Sequence, residues 1–255
     1  MLNLGCGKRR HPDWINADLL PAAADIVRVD LRRQLPFPTG RFDAVYASHV
    51  LEHLTPMEAR SLLCEIRRVL STTGTVRIVV PDLEGIVRSY LCELDAAAAG
   101  DEDACWRHRW MTVELLDQLV RSRPGGAMAR WWSCDPVPCR DLIESRLGSE
   151  ATNAIAELRS RRRVPPTDPK AILLEPAVDD RAASKFASSG ERHKWMYDRV
   201  SLAELLRECG FHDPRRVGPA ESRISGFAGF GLDADADGTP HKPDSLFMEA
   251  IAGET

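Results

Sequence analysis

The sequence predicts an α/β protein whose seven-stranded, mostly parallel sheet ends in an antiparallel strand and carries a helical insertion after the fifth strand. Three observations lead to this prediction. An apolar segment at the start of the chain ends in two glycines, strand-like and helix-like segments then alternate as far as about residue 84, and a mainly helical stretch interrupts this alternation until about residue 190. Alternation of this kind predicts parallel strands joined by right-handed crossovers.

The first strand is predicted within Leu2–Gly7, which reads Leu-Asn-Leu-Gly-Cys-Gly. Leu2 and Leu4 suit a buried parallel strand. Gly5 and Gly7 let the backbone turn sharply and pass close to a ligand. Many tight turns without a ligand use the same residues, so the two glycines indicate a site only together with their surroundings.

Those surroundings contain polar residues at the ends of the next three strand-like segments, at Asp18, Asp30 and His49. In an open α/β sheet, ligands bind outside the carboxyl ends of the strands, so we expect these residues to converge on one crevice. Asp18 is predicted to accept hydrogen bonds from the ribose hydroxyls of a nucleoside, and Asp30 from an adenine amino group. A solvated turn is the alternative for each acid.

The remaining core elements continue the pattern. An amphipathic helix is predicted over 56–70 and a fifth strand over 76–80. The last two strands are predicted over 215–217 and 245–251, the second of them antiparallel. The acidic run Asp233–Gly238 between them lacks the glutamate of a calcium loop, so we expect a flexible hairpin tip.

Residues 85–189 are predicted to be a mainly helical insertion. Helices are predicted over 91–94, 110–120 and 141–163, and the last ends in the basic run Arg159–Arg163. A solvated helix end explains this run, with contact to an acidic substrate as the alternative. Either a cover over a ligand or core packing explains the four tryptophans of the insertion, Trp106, Trp110, Trp131 and Trp132.

The segment 188–198 is dense in groups that can hold a proton. His193, Tyr197 and Asp198 are candidate catalytic residues, with His193 as a base that takes the proton of a hydroxyl group and Asp198 as its orienting partner. In the alternative, Asp198 caps the following helix, Tyr197 packs and His193 holds the loop. His53, beyond the fourth strand, is a second candidate base with a structural alternative of its own.

Composition limits the function further. The chain has 255 residues, 28% of them charged, and a formal net charge of −4, which argues against bulk nucleic-acid binding. No stretch approaches the roughly 18 apolar residues of a membrane span, so we expect no membrane association and a cytoplasmic location. Seven cysteines without tight pairs predict a reducing compartment and no metal site; a zinc site using Cys105, His108, Cys134 and Cys139 is the alternative.

Three motifs together carry a family resemblance: the Leu-Asn-Leu-Gly-Cys-Gly start, the segment Phe-Asp-x-Val-x-x-x-x-Val-Leu-Glu-His from Phe42, and the Pro81-Asp82 turn. They resemble the class I S-adenosylmethionine-dependent methyltransferases, in the methyltransferase type 11-like branch. The resemblance implies a Rossmann-like methyltransferase core formed by 1–84 and 190–255. It leaves 85–189 as a lid or substrate-recognition region.

The resemblance also implies roles for individual residues. The methionine part of the cofactor would face the glycine turn, the ribose Asp18, and the sulfonium end Ser48 and His49. The full set of implied cofactor-binding residues is Asn3, Gly5, Cys6, Gly7, Asp18, Asp30, Leu31, Ser48 and His49. A dinucleotide fits poorly, because Lys8-Arg9-Arg10-His11-Pro12 stands where a third glycine would be needed.

The function implied by the resemblance is methyl transfer from S-adenosylmethionine, with S-adenosylhomocysteine as the product. The predicted acceptor is a small molecule, a sugar or a secondary metabolite methylated on oxygen or nitrogen, and the enzyme is expected to act in biosynthesis, with a homodimer as one assembly. Two alternatives stay open. The chain could be a catalytically inactive cofactor-binding partner subunit, or an enzyme that transfers or cyclises the aminopropyl part of the same cofactor.

Overall fold

The computed structural model describes residues 1–160, 179–187 and 190–253. Three predicted features therefore lie partly outside the described residues. These are the end of the predicted helix 141–163, the last three arginines of the run Arg159–Arg163, and the first two residues of the segment 188–198.

A seven-stranded sheet forms the centre of the fold, with the strand order β3-β2-β1-β4-β5-β7-β6. Strands β1 to β5 pair in parallel, and β7 is antiparallel to both of its neighbours. This confirms the predicted fold class. The strands are β1 (Leu2–Leu4), β2 (Ile15–Asp18), β3 (Val27–Arg28), β4 (Phe42–Ser48), β5 (Leu70–Pro81), β6 (His212–Arg216) and β7 (Ser245–Ile251).

The pairing register aligns the carboxyl ends of the central strands. Leu4, the last residue of β1, lies opposite Ala17 of β2 and Ala47 of β4. The residues that follow these strands therefore meet at one edge of the sheet, as expected for parallel strands. Leu2, Leu4 and Val45 are fully buried, so apolar packing fixes the positions of these strand ends relative to one another.

Eight α-helices are present in the described part of the chain. The first, α1 (Pro56–Val69), begins with a capping box in which Thr55 accepts from the backbone of Glu58 and the Glu58 side chain accepts from the backbone of Thr55. The others are α2 (Leu83–Ala98), α3 (Glu102–Val120), α4 (Gly126–Trp132), α5 (Arg140–Leu147), α6 (Ser149–Ser160), α7 (Asp180–Ala187) and α8 (Arg199–Glu208). No helix among the described residues is long and apolar enough to cross a membrane.

Two compact units divide the chain. Unit 1 comprises Met1–Asp82, Lys194–Pro240 and Ser245–Thr255 and contains the whole sheet. Unit 2 comprises Leu83–His193 and His241–Asp244 and contains α2 to α7. The predicted division into a core of 1–84 and 190–255 and an insertion of 85–189 stays a prediction.

Tryptophans form the core of unit 2. Trp110 and Trp131 are almost completely buried, and their rings pack edge to face with centroids 5.8 Å apart. The indole N–H of Trp110 donates to Glu114, which also accepts from Arg146. Core packing therefore accounts for two of the four tryptophans in this region.

The structure corrects several predicted element boundaries. The predicted helix 141–163 is wrong, because Gly148 separates α5 from α6 with a φ of 59°. The third strand contains only Val27 and Arg28, both exposed, whereas the fifth begins at Leu70, six residues before its predicted start. The sixth strand begins at His212 rather than at residue 215.

Candidate functional site

The glycine turn after β1 combines close packing with open space. Gly5 has a φ of 65°, and a Cβ atom there would lie 2.4 Å from Cγ2 of Val50. Gly7 has a φ of 50°, and no atom lies within 4 Å of where its Cβ would be. Gly5 is thus required by the packing of β1 on the loop after β4, whereas Gly7 leaves an uncovered backbone surface.

Asp18 holds this turn from the end of β2. One carboxylate oxygen accepts from the backbone N–H of Gly7 at 2.9 Å, and the other accepts from the backbone N–H of Leu20 at 2.9 Å. The N–H of Gly5 donates to the carbonyl of Ala17 at 2.8 Å. The structure therefore brings the predicted ribose ligand Asp18 into direct contact with the glycine turn, and each carboxylate oxygen keeps a second lone pair.

Asn3 and Cys6 contribute buried side chains at the glycine turn. The amide nitrogen of Asn3 donates to the carbonyl of Arg9 and to the side chain of Asn16, each at 3.0 Å. The amide oxygen of Asn3 is buried and has no hydrogen-bond partner among the described residues. Cys6 is buried, and burial raises the pKa of its thiol. The neutral thiol makes Cys6 a packing residue at neutral pH.

The carboxylate of Asp30 already accepts hydrogen bonds from an arginine. Both Nε and Nη2 of Arg32 donate to its carboxylate, at 2.9 and 3.0 Å, and this hydrogen bonding lowers the pKa of Asp30. Its neighbour Leu31 packs against the core of unit 1, and its Cδ1 would lie 3.9 Å from a Cβ atom on Gly5. Leu31 thus offers an apolar surface beside the turn, whereas the carboxylate of Asp30 is engaged by Arg32.

His49 follows Ser48 at the end of β4 with a φ of 53°, which is unusual for a residue other than glycine. Its Nδ1 lies 3.0 Å from a carboxylate oxygen of Glu52, and its Nε2 lies 3.0 Å from Oγ of Ser245. The ring of His49 therefore lies between a carboxylate, which can only accept, and a hydroxyl, which can donate or accept. Glu52 is fully buried, so its carboxylate faces the imidazole away from solvent.

Two further polar side chains lie at the same edge of the sheet. Asp82 directly follows β5 and forms an isolated parallel bridge with Tyr197. Asp82 is 6% exposed and Tyr197 is 3% exposed. Burial, together with the charge of Glu52, raises the pKa of Tyr197 to about 12. The tyrosine hydroxyl is therefore protonated at neutral pH.

The other candidate catalytic residues have structural contacts. Asp198 caps α8, because its carboxylate accepts from the backbone N–H groups of Val200 and Ser201 at 2.8 and 2.9 Å. His193 is buried in unit 2 and donates its backbone N–H to the carbonyl of Gln118. His53 ends a short 3₁₀-helix. The sequence analysis gave capping of the following helix as the alternative role of Asp198. The pairing of Asp198 with His193 stays a prediction.

The sequence interpretation missed Glu52, Asp82 and Ser245. Glu52 and Asp82 lie within the motifs that carry the family resemblance, and the spacing of three residues between His49 and Glu52 was an available signal. Ser245 is 196 residues from His49, and nothing in the sequence connects the two.

A comparison with known families identifies the first part of the chain. Residues 2–78, which include the glycine turn, Asp18 and His49, match the sequence model of a family described as Methyltransferase domain. This segment is a methyltransferase domain. The match confirms the predicted resemblance to class I S-adenosylmethionine-dependent methyltransferases, the predicted enzyme class and the cofactor S-adenosylmethionine.

Solved structures similar to the whole chain include other methyltransferases. An S-adenosylmethionine-dependent methyltransferase from Thermotoga maritima is 10% identical, with a TM-score of 0.46 over 98% of this chain and 81% of that chain. A methyltransferase of Haloferax volcanii, in complex with the Trm112 activator, is 12% identical, with a TM-score of 0.41 over 99% of this chain and 82% of that chain.

A third similar structure is the 1,6-didemethyltoxoflavin N1-methyltransferase of Burkholderia thailandensis, which contains its substrate and S-adenosylhomocysteine. It is 14% identical, with a TM-score of 0.39 over 99% of this chain and 70% of that chain. Similarities of this size do not transfer an acceptor or a partner to the methyltransferase domain described here. Among curated proteins, no match was found.

Proposed function

We propose that the protein transfers the methyl group of S-adenosylmethionine to an oxygen or nitrogen atom of a small-molecule acceptor, a sugar or a secondary metabolite. One observation carries this proposal. The backbone at Gly7 is uncovered on the side where a side chain would stand, and the carboxylate of Asp18 is bonded to that same residue. A cofactor with both a close backbone approach and ribose hydroxyls fits this arrangement.

The proposed cofactor seat uses the edge of the sheet formed by β1, β2 and β4. Gly5, Cys6 and Gly7 would face the methionine part of the cofactor, with Asn3 beneath them. Asp18 would accept from the ribose hydroxyls through the lone pairs that its backbone contacts leave free. The unpartnered amide oxygen of Asn3 supports a polar ligand at this place, because buried polar atoms are normally paired.

The adenine end of the proposed seat depends on Leu31 more than on Asp30. Arg32 covers the Asp30 carboxylate with two N–H groups, so an adenine amino group would share an acceptor that is already well bonded. Leu31 lies beside the Gly5 turn and presents apolar surface to a flat ring. In this proposal Leu31 packs on the adenine, and Asp30 stabilises the loop by accepting hydrogen bonds from Arg32.

When bound, S-adenosylmethionine supplies an electrophilic methyl group on a positively charged sulfur. The protein must hold the acceptor in line with that methyl group, exclude water and take up any proton that the acceptor loses. In our proposal the sulfonium end lies beside Ser48 and His49. His49 is the proposed proton acceptor, and Glu52 is the positioning residue that orients its ring.

Tyr197 remains a proposed substrate-side residue, together with His193 and His53. Asp198 has a sufficient role as the cap of α8, so the base proposed here is His49 rather than His193 with Asp198. The homodimer and the cytoplasmic location predicted from the sequence stay predictions.

Calorimetric titration with S-adenosylhomocysteine and with S-adenosylmethionine tests the cofactor seat. Asp18→Ala should weaken both affinities at least about tenfold, because it removes a ligand group and loosens the Gly7 backbone. The matched control is Asp25→Ala, since Asp25 is an exposed acid that forms an ion pair with Arg10. Equal affinities for the two variants would refute the seat.

Product analysis tests the reaction itself. The protein is incubated with S-adenosylmethionine and a library of small alcohols and amines, and products are identified by mass spectrometry. Methyl transfer yields S-adenosylhomocysteine and an acceptor heavier by one methylene unit. Methylthioadenosine as the product would instead support transfer or cyclisation of the aminopropyl part. Tight cofactor binding without any product would favour the inactive partner subunit.

A further inference from the structure

Two buried side chains at the end of β5 each have a polar atom without a hydrogen-bond partner among the described residues. One atom is Oδ1 of Asp82, and the other is the hydroxyl oxygen of Tyr197. The second oxygen of Asp82 accepts from Arg216 at 3.2 Å, and the side chain of Arg216 is 55% exposed. The unpaired atoms are thus one carboxylate oxygen and one phenolic hydroxyl.

Such atoms are costly to a fold. A buried polar atom that loses its water without gaining a partner is destabilising, so native proteins keep few of them and keep them for a reason. Tyr46 in the same unit shows the usual arrangement, because its buried hydroxyl donates to Asp233. Tyr197 and Asp82 each have one buried polar atom without such a partner among the described residues. A backbone bridge joins these same two residues.

The backbone bridge between Asp82 and Tyr197 places both side chains at one edge of the sheet. The hydroxyl of Tyr197 can donate, since the high pKa keeps it protonated. The carboxylate oxygen of Asp82 can only accept. The backbone bridge therefore brings one donor and one acceptor to the same edge of the sheet.

We propose that Asp82 and Tyr197 bind the methyl acceptor, and that the acceptor carries an N–H or O–H donor close to an atom with a free lone pair. Amines and alcohols have this chemistry, whereas ionised carboxylates, which have no N–H or O–H group, do not. The buried carboxylates of Asp82 and Glu52 favour a neutral or cationic group and oppose an anion. This inference rests on the proposed function, because it names the substrate class of that site.

Stability measurements test whether the hydroxyl of Tyr197 is unpaired. Tyr197→Phe removes a hydroxyl that contributes no hydrogen bond, so the urea midpoint should stay the same or rise. The matched control is Tyr46→Phe, which removes a buried hydrogen bond and should lower the midpoint. If Tyr197→Phe lowers the midpoint as much as Tyr46→Phe, the hydroxyl already has a partner, such as a water molecule, and the inference is overturned.

Binding is tested with 2-aminoethanol, which combines a donor with a lone pair. The chain has three tyrosines, so a protein labelled with ¹³C at tyrosine Cζ gives three NMR signals, and Tyr197→Phe identifies one of them. We expect that signal to move with saturation when 2-aminoethanol is added. Asp82→Asn should weaken the effect at least about tenfold, and Asp43→Asn, at an exposed acid of β4, should not change it. Acetate should have no effect.

The outcomes separate this inference from the proposed function. The titration is made with and without S-adenosylhomocysteine, whose binding is measured in the same samples. No movement of the Tyr197 signal, or equal movement with acetate, overturns the inference even if the cofactor binds. Failure of cofactor binding alone refutes the proposed function, while the Tyr197 signal still decides whether Asp82 and Tyr197 bind an amine or alcohol.

Discussion

Arg77 donates to Asp233 across 2.7 Å, with both side chains buried and the two residues 156 positions apart in the chain. A second ion pair joins Arg77 to Glu249 at 2.8 Å. Its remaining N–H groups donate to backbone carbonyls of the loop after β6, those of Glu221, Gly218 and Pro219. The guanidinium thus ties β5, β7 and the loop before β7 together, with an acceptor for every donor.

Removing the carboxylate of this pair should be strongly destabilising. We expect Asp233→Ala to lower the free energy of unfolding by about 3–5 kcal/mol, because it leaves a buried guanidinium without part of its compensating charge. Urea denaturation followed by circular dichroism measures the loss. Asp235→Ala is the control, since Asp235 is exposed in the same loop, and it should change the free energy by less than about 0.5 kcal/mol. Similar values for the two variants would contradict the described network.

Two glycines with positive φ allow the effect of backbone strain on stability to be distinguished from an effect on ligand binding. Gly7 and Gly210 have φ values of 50° and 82°, and a Cβ on either would meet no atom within 4 Å. Alanine at each position should therefore cost a comparable amount of stability, about 1–2 kcal/mol. Only Gly7→Ala should also weaken S-adenosylhomocysteine binding, by at least about tenfold, because its methyl group enters the proposed seat. Calorimetry measures both variants, and equal affinities would place the cofactor elsewhere.

Asp198 allows a pH test of the cap of α8. Asp198→Ala should lower the free energy of unfolding by about 1 kcal/mol at neutral pH. Hydrogen bonds from the backbone of Ser201 and then Val200 lower the pKa of Asp198 below its ordinary 3.8. The charged cap is therefore fully effective above pH 3.8 and is lost as the pH falls through the lower pKa of the folded state.

Denaturation curves at several pH values check this prediction. The difference between the wild type and Asp198→Ala should shrink below pH 3.8. Asp198→Asn is the control, because asparagine caps a helix about as well but carries no charge. A catalytic role for the carboxylate would show as loss of methyl transfer in Asp198→Asn without a matching loss of stability.

The sequence was most informative where local pattern and chain order act together. The strand Leu2–Leu4, the turn at Gly5 and Gly7, and the acid Asp18 follow one another within a short stretch, and the structure joins Gly7 to Asp18 by a hydrogen bond. The parallel sheet follows from the same alternation. Elements with few residues were harder, since the exposed pair Val27 and Arg28 has too little apolar pattern to fix the limits of β3.

Contacts between distant residues could not be predicted. Asp233 was expected in a flexible hairpin tip, and nothing in the run Asp233–Gly238 indicated that it is 4% exposed and bound to Arg77. The same is true of Ser245, whose contact with His49 depends on the antiparallel placement of β7 beside β5. A one-dimensional pattern carries the chemistry of a residue but not the identity of a partner in another strand.

Gly148 is the position where the helical pattern of unit 2 was misleading. Apolar and polar residues continue in helical spacing across it, but its φ of 59° and ψ of −141° suit only glycine and end α5. A Cβ atom there would lie 2.9 Å from Cδ of Pro243 and 3.0 Å from the carbonyl oxygen of His241. The break is therefore fixed by the backbone of residues 241–243 and not by the helix itself.

Gly148→Ala should consequently destabilise unit 2 by more than conformational strain alone. We expect a loss of about 2–4 kcal/mol, because the new methyl group adds a backbone clash to a φ/ψ region that costs about 1–3 kcal/mol. Gly100→Ala is the control, since Gly100 has a φ of 97° and open space around it. Tryptophan fluorescence during urea denaturation reports on unit 2 through Trp110 and Trp131. If the two variants lose the same amount, a continuous helix from α5 into α6 is accessible, and the break does not depend on Pro243.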